Sequence, residues 1–421
     1  MATKNILVSG ASIAGPALAF WLRRRGFHPT VVERAPALRD GGYAVDFRGA
    51  ALDVVGRMGL LPQVRAARTH MGATAYVDAA GRALASMPSD FLSGDLEILR
   101  GDLARILHEA TRGDTEYVFD NSIAHMSQGD DGVRVDFERG PSRTFDLVVG
   151  ADGLHSRVRA LAFGDESRFL RHLGYYVSIF TTANHLGLDH TGHYYSTPGK
   201  VAALYSARDN REAKASFYFA SPALGYDRRD VEQQKQIVAD SFAGQGWQVP
   251  RLLTDMRTAR DFYFDSVSQI HMDRWSTGRT VLLGDAACCP SPLSGMGTGL
   301  AMVGAYILAG ELAAAAGDHR MAFARYEQQM RPLVQRCQKF GADGGKWFVA
   351  ASRSRIWFRN FNLRILPHLP WRNLITAATR KMASAITLPN YPAISSSAGP
   401  HAGAVAIEGK QNHKETQRCE S

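Results

Sequence analysis

At 421 residues the chain can bury a substantial core but exceeds the usual size of a single one, so two domains are expected. Four cysteines, two of them adjacent at Cys288 and Cys289 and none in a CxxC pair, outline neither a disulfide framework nor a zinc site. The formal charge of +9 is not spread over the chain. Lys346, Arg353, Arg355, Arg359, Arg364, Arg372, Arg380 and Lys381 supply +8 within one stretch free of acidic residues, which argues against a nucleic-acid-binding body.

In chain order, Asn5-Ile6-Leu7-Val8-Ser9 reads as a short apolar strand, and Gly10-Ala11-Ser12-Ile13-Ala14-Gly15 as a tight turn into a helix. That helix runs through Leu18 and Leu22 to a stop at Arg23-Arg24-Arg25-Gly26, and Pro29–Glu33 forms a second strand. Gly10 permits the turn and Gly15 lets helix and sheet approach. The free N–H groups of the helix can then face a pyrophosphate. Glu33 closes the unit where a carboxylate can accept hydrogen bonds from ribose hydroxyls. The middle position of the fingerprint is Ser12, so the pattern is GxSxxG; its Cβ narrows the approach to phosphate while its hydroxyl can donate to it.

Two later segments repeat the strand-and-turn theme. Phe145–Gly150 leads into Ala151-Asp152-Gly153, followed by Ser156 and Arg157, and Thr280–Leu283 leads into Gly284-Asp285-Ala286-Ala287. A polar turn at the carboxyl end of a buried strand is where open α/β sheets bind ligands. After the last of these come Pro290, Pro292 and the run Ser294-Gly295-Met296-Gly297-Thr298-Gly299.

With these three ordered motifs the chain resembles the flavin-dependent aromatic hydroxylases, single-component FAD monooxygenases with the para-hydroxybenzoate hydroxylase fold. Within them it is similar to tetracycline-inactivating and polyketide-tailoring enzymes, over roughly residues 4 to 335 and the terminal helices. The resemblance implies that Gly10, Ser12, Gly15, Glu33 and Arg34 take the ADP half of FAD. Asp152 and Gly153 belong to the motif that helps hold dinucleotide and reduced nicotinamide. Asp285 holds the ribityl chain, with Pro292, Gly295, Gly297 and Thr298 beside the isoalloxazine. Gly41–Gly49 occupies the place of the flavin-side loop, bringing Asp46 near the ring or substrate, and Arg100 matches an arginine that reaches the cofactor. One departure stands out: Cys288 follows Gly-Asp-Ala-Ala where family members commonly carry histidine. Adjacent Cys288 and Cys289 suit packing at a helix start better than a redox dithiol.

The region from Tyr175 to Asp265 changes character. Tyr175–Phe180, Gly192–Ser196 and Ala215–Phe219 read as strands of a mixed or antiparallel sheet whose aromatics can line a substrate chamber. Phe217, Phe219 and Tyr263 are the lining candidates; His193, with no acid or nucleophile paired to it, reads as structural or surface. No catalytic residue is singled out, and neither an HExxH nor a paired-carboxylate signature points to a metal.

The expected fold is therefore α/β: a Rossmann-like FAD-binding domain, discontinuous over 1–170 and 266–335, with a second mixed or antiparallel sheet substrate domain over 171–265 to which 71–97 is a candidate contributor. A C-terminal helical segment spans 336–392, and 393–421 reads as a disordered tail. The family resemblance implies reduction by NADPH or NADH and transfer of one oxygen from O2, through a C4a-hydroperoxyflavin, to a bulky aromatic or polyketide-like substrate. The alternatives are another FAD oxidoreductase (oxidase, dehydrogenase or Baeyer-Villiger oxygenase) or a flavoprotein binding module acting through its basic segment. A halogenase is disfavoured by the lack of Trp-x-Trp-x-Ile. No export signal or spanning helix is read, a cytoplasmic location is expected, and monomer and homodimer stay open.

Overall fold

Ile6, Leu7 and Val8 leave the strand Asn5–Ser9 no polar face, and all three are fully buried between parallel neighbours on either side, His28–Val32 and Leu147–Gly150. The computed structural model describes residues 4–39, 41–88, 95–365 and 386–391, and in it these strands form the centre of a six-stranded sheet. Its order is Ser276–Thr277, Thr280–Leu282, Leu147–Gly150, Asn5–Ser9, His28–Val32, Glu116–Val118. Every pairing is parallel except the outermost one, Ser276–Thr277 with Thr280–Leu282.

Register does the work of assembly here. Ser9 lies opposite both Val32 and Gly150, and Gly150 lies opposite Leu282, so four strands end side by side. The chain after each end is stitched to its neighbour: Gly10 N–H donates to the Val32 carbonyl (2.7 Å), Ala151 N–H to Ser9 (2.8 Å) and Leu283 N–H to Gly150 (2.8 Å). Three segments separated by more than a hundred residues from one to the next thus emerge together.

The helices Ala14–Arg23 and Gly297–Ala314 pack on each other beside this sheet, with the long helix His319–Phe348 against the second of them. Gly297–Ala314 is long and apolar enough by composition to cross a membrane, with a mean hydropathy of 1.3, yet 72% of it is buried inside the protein. An all-round apolar helix with such burial is a core helix. His319–Phe348 is a single 30-residue element that runs through the boundary drawn at 335/336. Asp318 caps it by accepting the Arg320 and Met321 N–H groups.

The second sheet has seven strands in the order Tyr263–Ile270, Leu170–Thr182, Glu212–Ala220, Lys200–Ala207, Gly192–Thr197, Thr74–Val77, Ala83–Met87. Only Gly192–Thr197 with Thr74–Val77 is parallel, so the sheet is mixed, and residues 74–87 supply its far edge. Tyr263–Ile270 carries the chain straight across the boundary drawn at 265/266. The fold is the expected α/β combination, completed by the helix Arg353–Ile365 on the far edge of this sheet. The tail 393–421 and part of the segment 336–392 lie outside the described residues.

Successive strand residues point to opposite faces, and the two faces of this sheet differ in kind. Tyr176, Phe217, Phe219 and Phe264 pack with Val238 and Phe242 of the helix Val231–Phe242 and Leu252 and Met256 of Val249–Thr258. Tyr218, between the two phenylalanines, joins Val177, Ile179, Val267 and Tyr263 on the other face. Phe217 is fully buried, so Phe217→Ala is expected to cost about 3–5 kcal/mol of stability, read as a shift in the urea midpoint with FAD content kept in the folded fraction.

Candidate functional site

Where the three strand ends meet, glycine is forced by backbone contact. Gly10 has φ +110°, and a Cβ there would lie 2.4 Å from the Ala151 carbonyl oxygen. A Cβ on Gly15 would lie 1.9 Å from the Gly10 carbonyl oxygen, so the turn closes on itself as a dinucleotide cradle requires. Ser12 sits half-buried in that turn, and Arg34 is exposed at the end of the next strand. Glu33 is aimed at the same place: its carboxylate accepts the Ala11 N–H at 2.8 Å and the Ala35 N–H at 2.9 Å. The cradle, the helix start behind it and the carboxylate beside it fit the adenosine-diphosphate part of FAD.

Asp152 has a second occupation. Its carboxylate accepts the Ser156 hydroxyl at 2.5 Å and the Val158 N–H at 3.1 Å, and burial pushes its pKa up against these bonds. Ser156 then caps the helix Arg157–Phe163 by accepting the Arg159 N–H. Arg159, fully buried, donates to the Ala286 carbonyl (2.9 Å), the Leu154 carbonyl (2.6 Å) and Glu166 (2.8 Å). This guanidinium pins the second motif to the third. Gly153 turns at φ +84° with open space where a side chain would stand.

The second half of the site gathers residues from three stretches of the sequence, 42–46, Arg100 and 285–298. Asp285 opens the four-residue helix Asp285–Cys288. Burial raises its pKa, while the nearby Arg100 charge and a hydrogen bond with Cys289 pull the other way. Arg100 starts the helix Arg100–Glu109, donates its N–H to the Tyr43 carbonyl (3.0 Å), and stands against Gly42, where a Cβ would come 3.2 Å from its own Cβ. A Cβ on Gly297 would meet Asp285 Oδ1 at 3.5 Å, and one on Gly295 would meet Asp46 Oδ2 at 3.7 Å. Pro292 begins the turn Pro292–Ser294, Gly295 ends it in the left-handed region, and Thr298 is the second residue of the core helix. Asp46, Arg100, Asp285 and the glycine run therefore border one place, at the N-terminus of Gly297–Ala314. Two carboxylates, a guanidinium and the N–H groups of a helix start face one another there, acceptors and donors of the kind a polar ligand chain needs.

The lining candidates divide. Tyr263 is on the face turned toward this place, its ring 6.4 Å from that of Tyr43. Phe217 and Phe219 are not: with 0% and 3% of their surface exposed, they belong to the closed core behind the sheet. The correct register is one residue over. Tyr218 and Tyr205 join Tyr43 and Tyr263 around the site, and the Tyr205 hydroxyl lies 3.5 Å from the Ala44 nitrogen. Burial raises the pKa of all four tyrosines, so each keeps its hydroxyl proton at neutral pH.

Two further groups escaped the sequence reading. Glu97, opposite Asp46 in the strand pair Ala44–Phe47 and Leu96–Leu99, is pushed up to about 7 by burial and the Asp46 charge, against a hydrogen bond from Thr69. His155 lies between two carboxylates, 3.0 Å from Glu166 and 3.1 Å from Asp265, and Asp265 is 3.4 Å from the Tyr263 hydroxyl. A lone glutamate in an apolar strand and a histidine in a turn carry no spacing that announces either arrangement. Cys288 and Cys289 are buried thiols, bonded to the Gly284 and Ser268 carbonyls and held protonated by burial. Among the described residues no group of three or more His, Cys, Asp or Glu side chains is arranged to hold a metal ion.

Gly15→Ala is expected to displace the turn, lowering bound FAD per folded protein and costing about 1–3 kcal/mol, measured by flavin absorbance and thermal unfolding. Burial alone would lower the His155 pKa, but the hydrogen bonds and charges of Asp265 and Glu166 outweigh it and the net shift is upward. The stability His155 contributes is thus fully present below its unfolded pKa of about 6.5 and is lost as pH rises through the higher folded value. His155→Gln should destabilise more at about pH 6 than at about pH 9; an equal loss at both would remove the imidazolium from the interaction.

Comparison with known proteins joins this geometry to a family. Residues 3–340 match the family model described as an FAD binding domain. A flavin-dependent monooxygenase from an unknown prokaryotic organism is 43% identical over 396 residues, covering 92% of this chain and 99% of its own. Among solved structures, tetracycline destructase Tet(51) superposes with a TM-score of 0.82 at 38% identity, covering 93% of this chain and 99% of that one. Tetracycline destructase Tet(55) does so with 0.80 at 42%, covering 92% and 99%. The cradle at Gly10–Gly15 and the Gly284–Gly299 cluster both fall inside the matched span, and with them this chain belongs to the single-component FAD-dependent monooxygenases.

Proposed function

We propose that this monooxygenase uses NADPH or NADH and O2 to oxygenate a bulky polycyclic aromatic or polyketide-like small molecule. The observation that carries the reading is the sheet face of Tyr205, Tyr218 and Tyr263, with Val177, Ile179 and Val267 between, set toward the cluster of Tyr43, Arg100 and Asp285. That face carries protonated hydroxyls at fixed points over the buried side chains of Val177, Ile179 and Val267, which suits a fused-ring ligand carrying phenol, enol or carbonyl oxygens. The tetracycline destructases are the relatives that suggest this ligand class.

Bound FAD supplies the oxygen-activating chemistry. Gly10, Ser12, Gly15, Glu33 and Arg34 are assigned to its adenosine-diphosphate part, and Arg100, Asp285, Pro292, Gly295, Gly297 and Thr298 to its flavin part. Asp46, beside Gly295, would lie near ring or substrate, with Glu97 opposite it in the strand pair as a carboxyl able to hold or release a proton near neutrality. Val177, Ile179, Val267 and Leu293 keep water from the reacting face. Asp152 and Gly153 shape the turn where reduced nicotinamide docks.

A compound panel that follows NADPH and oxygen use together with product mass tests the reading. A product about 16 mass units heavier, carrying label from oxygen gas, is the expected result. Peroxide without oxygenated product across polycyclic substrates would identify an oxidase instead, and product structure separates hydroxylation from Baeyer-Villiger insertion. Asp285→Ala should leave a larger apo fraction. Tyr218→Phe should raise KM by about 2–10-fold with kcat little changed, whereas Phe217→Leu, on the hidden face, should move stability and leave KM alone.

A further inference from the structure

The helix Arg353–Ile365 is turned the opposite way from an ordinary surface helix. Its inward side carries Arg359, 2% exposed, with Asn360 and Leu363. Its outward side carries Trp357 and Phe358, 65% and 61% exposed, and Phe361, 44% exposed. Trp357 and Phe361, one turn apart, stack on each other with centroids 5.2 Å apart and planes 13° from parallel. At 100° per residue, Trp357, Phe361 and Phe358 form the middle of the outward stripe, with Arg353 and Arg364 along one side and Arg355 along the other. Trp347 and Phe340, on the preceding helix, are exposed as well.

We propose that this face is a docking surface for an anionic lipid bilayer. Charge complementarity selects the occupant. From Gly344 to Ile407 the sequence has no Asp or Glu, while the exposed Lys346, Arg353, Arg355 and Arg364 surround the aromatic stripe with positive charge. A cleft of about 570 Å³ beside the helix is lined by Lys200, Arg353, Arg364, Ser196, Thr197 and Trp357, a set of donors suited to a phosphate headgroup, with no carboxylate among the described residues of its walls. Aromatic rings flanked by guanidiniums on one stripe match a bilayer interface, where phosphates and the acyl boundary lie within one side-chain length of each other. A soluble partner would have to present an apolar pocket and carboxylates in that same alternation. Each exposed arginine near an anionic surface adds to binding, and each aromatic ring adds buried area.

The test uses the full FAD-loaded chain in co-sedimentation with vesicles of phosphatidylcholine alone or with about a third phosphatidylglycerol. Tighter binding to the anionic vesicles, weakened by salt, is expected. The triple variant Trp357→Ala, Phe358→Ala, Phe361→Ala should lower the partition coefficient at least about tenfold with flavin content unchanged, and Arg353→Gln with Arg355→Gln should reduce the salt dependence. Absence of sedimentation with anionic vesicles overturns the proposal. So does wild-type sedimentation of the triple variant, which would place lipid contact elsewhere in the chain. A lipid-independent dimer that the triple variant abolishes, with no vesicle binding, would assign the face to a second copy instead.

Discussion

The parallel register of four strand ends is the constraint on which the site depends. Val32, Ser9, Gly150 and Leu282 sit in one row, and the three turns that follow Ser9, Gly150 and Leu282 can meet only because the row is level. A slip of one residue in any of the three pairings would invert which side chains face the helices. Full burial of Ile6, Leu7, Val8, Val148, Val149, Val281 and Leu282 makes such a slip costly. Gly10, wedged against Ala151, and Gly15, wedged against Gly10, then convert strand alignment into a fixed concavity.

That row also explains what could be read from sequence. Short apolar strands ending in glycine or aspartate are local signals, so Gly10, Gly15, Glu33 and Asp285 stand out without knowledge of the fold, and family resemblance supplied Arg100 and Asp46. What could not be read is face. Ser216-Phe217-Tyr218-Phe219 is aromatic on both sides of the strand, so alternation identifies a strand without saying which side meets the site. The answer comes from the helices Val231–Phe242 and Val249–Thr258, which claim the phenylalanine side, and no local pattern in 215–219 encodes them. Glu97 and His155 were illegible for a related reason: their properties arise from Asp46, Asp265 and Glu166, partners distant in sequence or set on other elements.

Buried charge binds the two sheets more specifically than apolar packing could. His155 and Arg159 leave the turn after Leu147–Gly150, both reach Glu166, and His155 also reaches Asp265 on the second sheet. Removing His155 withdraws the charge that faces both Asp265 and Glu166, partly buried carboxylates, and breaks the link between the two sheets. The arrangement therefore fixes orientation. It sets the strand Tyr263–Ile270, and with it Tyr263, relative to the Asp152–Ser156 turn, coupling the dinucleotide side of the molecule to the tyrosine-bearing face.

The helix Arg353–Ile365 follows from the chemistry of the surface it covers. The sheet edge there presents the rings of Tyr76 and Tyr194, and a cation over a ring is an acceptable occupant of such a site. Arg359 takes it, with its guanidinium carbon 3.9 Å from the Tyr76 centroid, and its N–H groups donate to the Phe348 carbonyl and the Ser196 hydroxyl, both at 3.0 Å. Burial lowers the Arg359 pKa and the Tyr76 ring offsets part of that cost. Once the arginine is fixed inward, helical geometry leaves Trp357, Phe358 and Phe361 on the far side. Their exposure is thus a consequence of an internal cation–ring contact: a helix rotated to bury them would expel Arg359 and break its contact with Tyr76 and its bonds to Phe348 and Ser196.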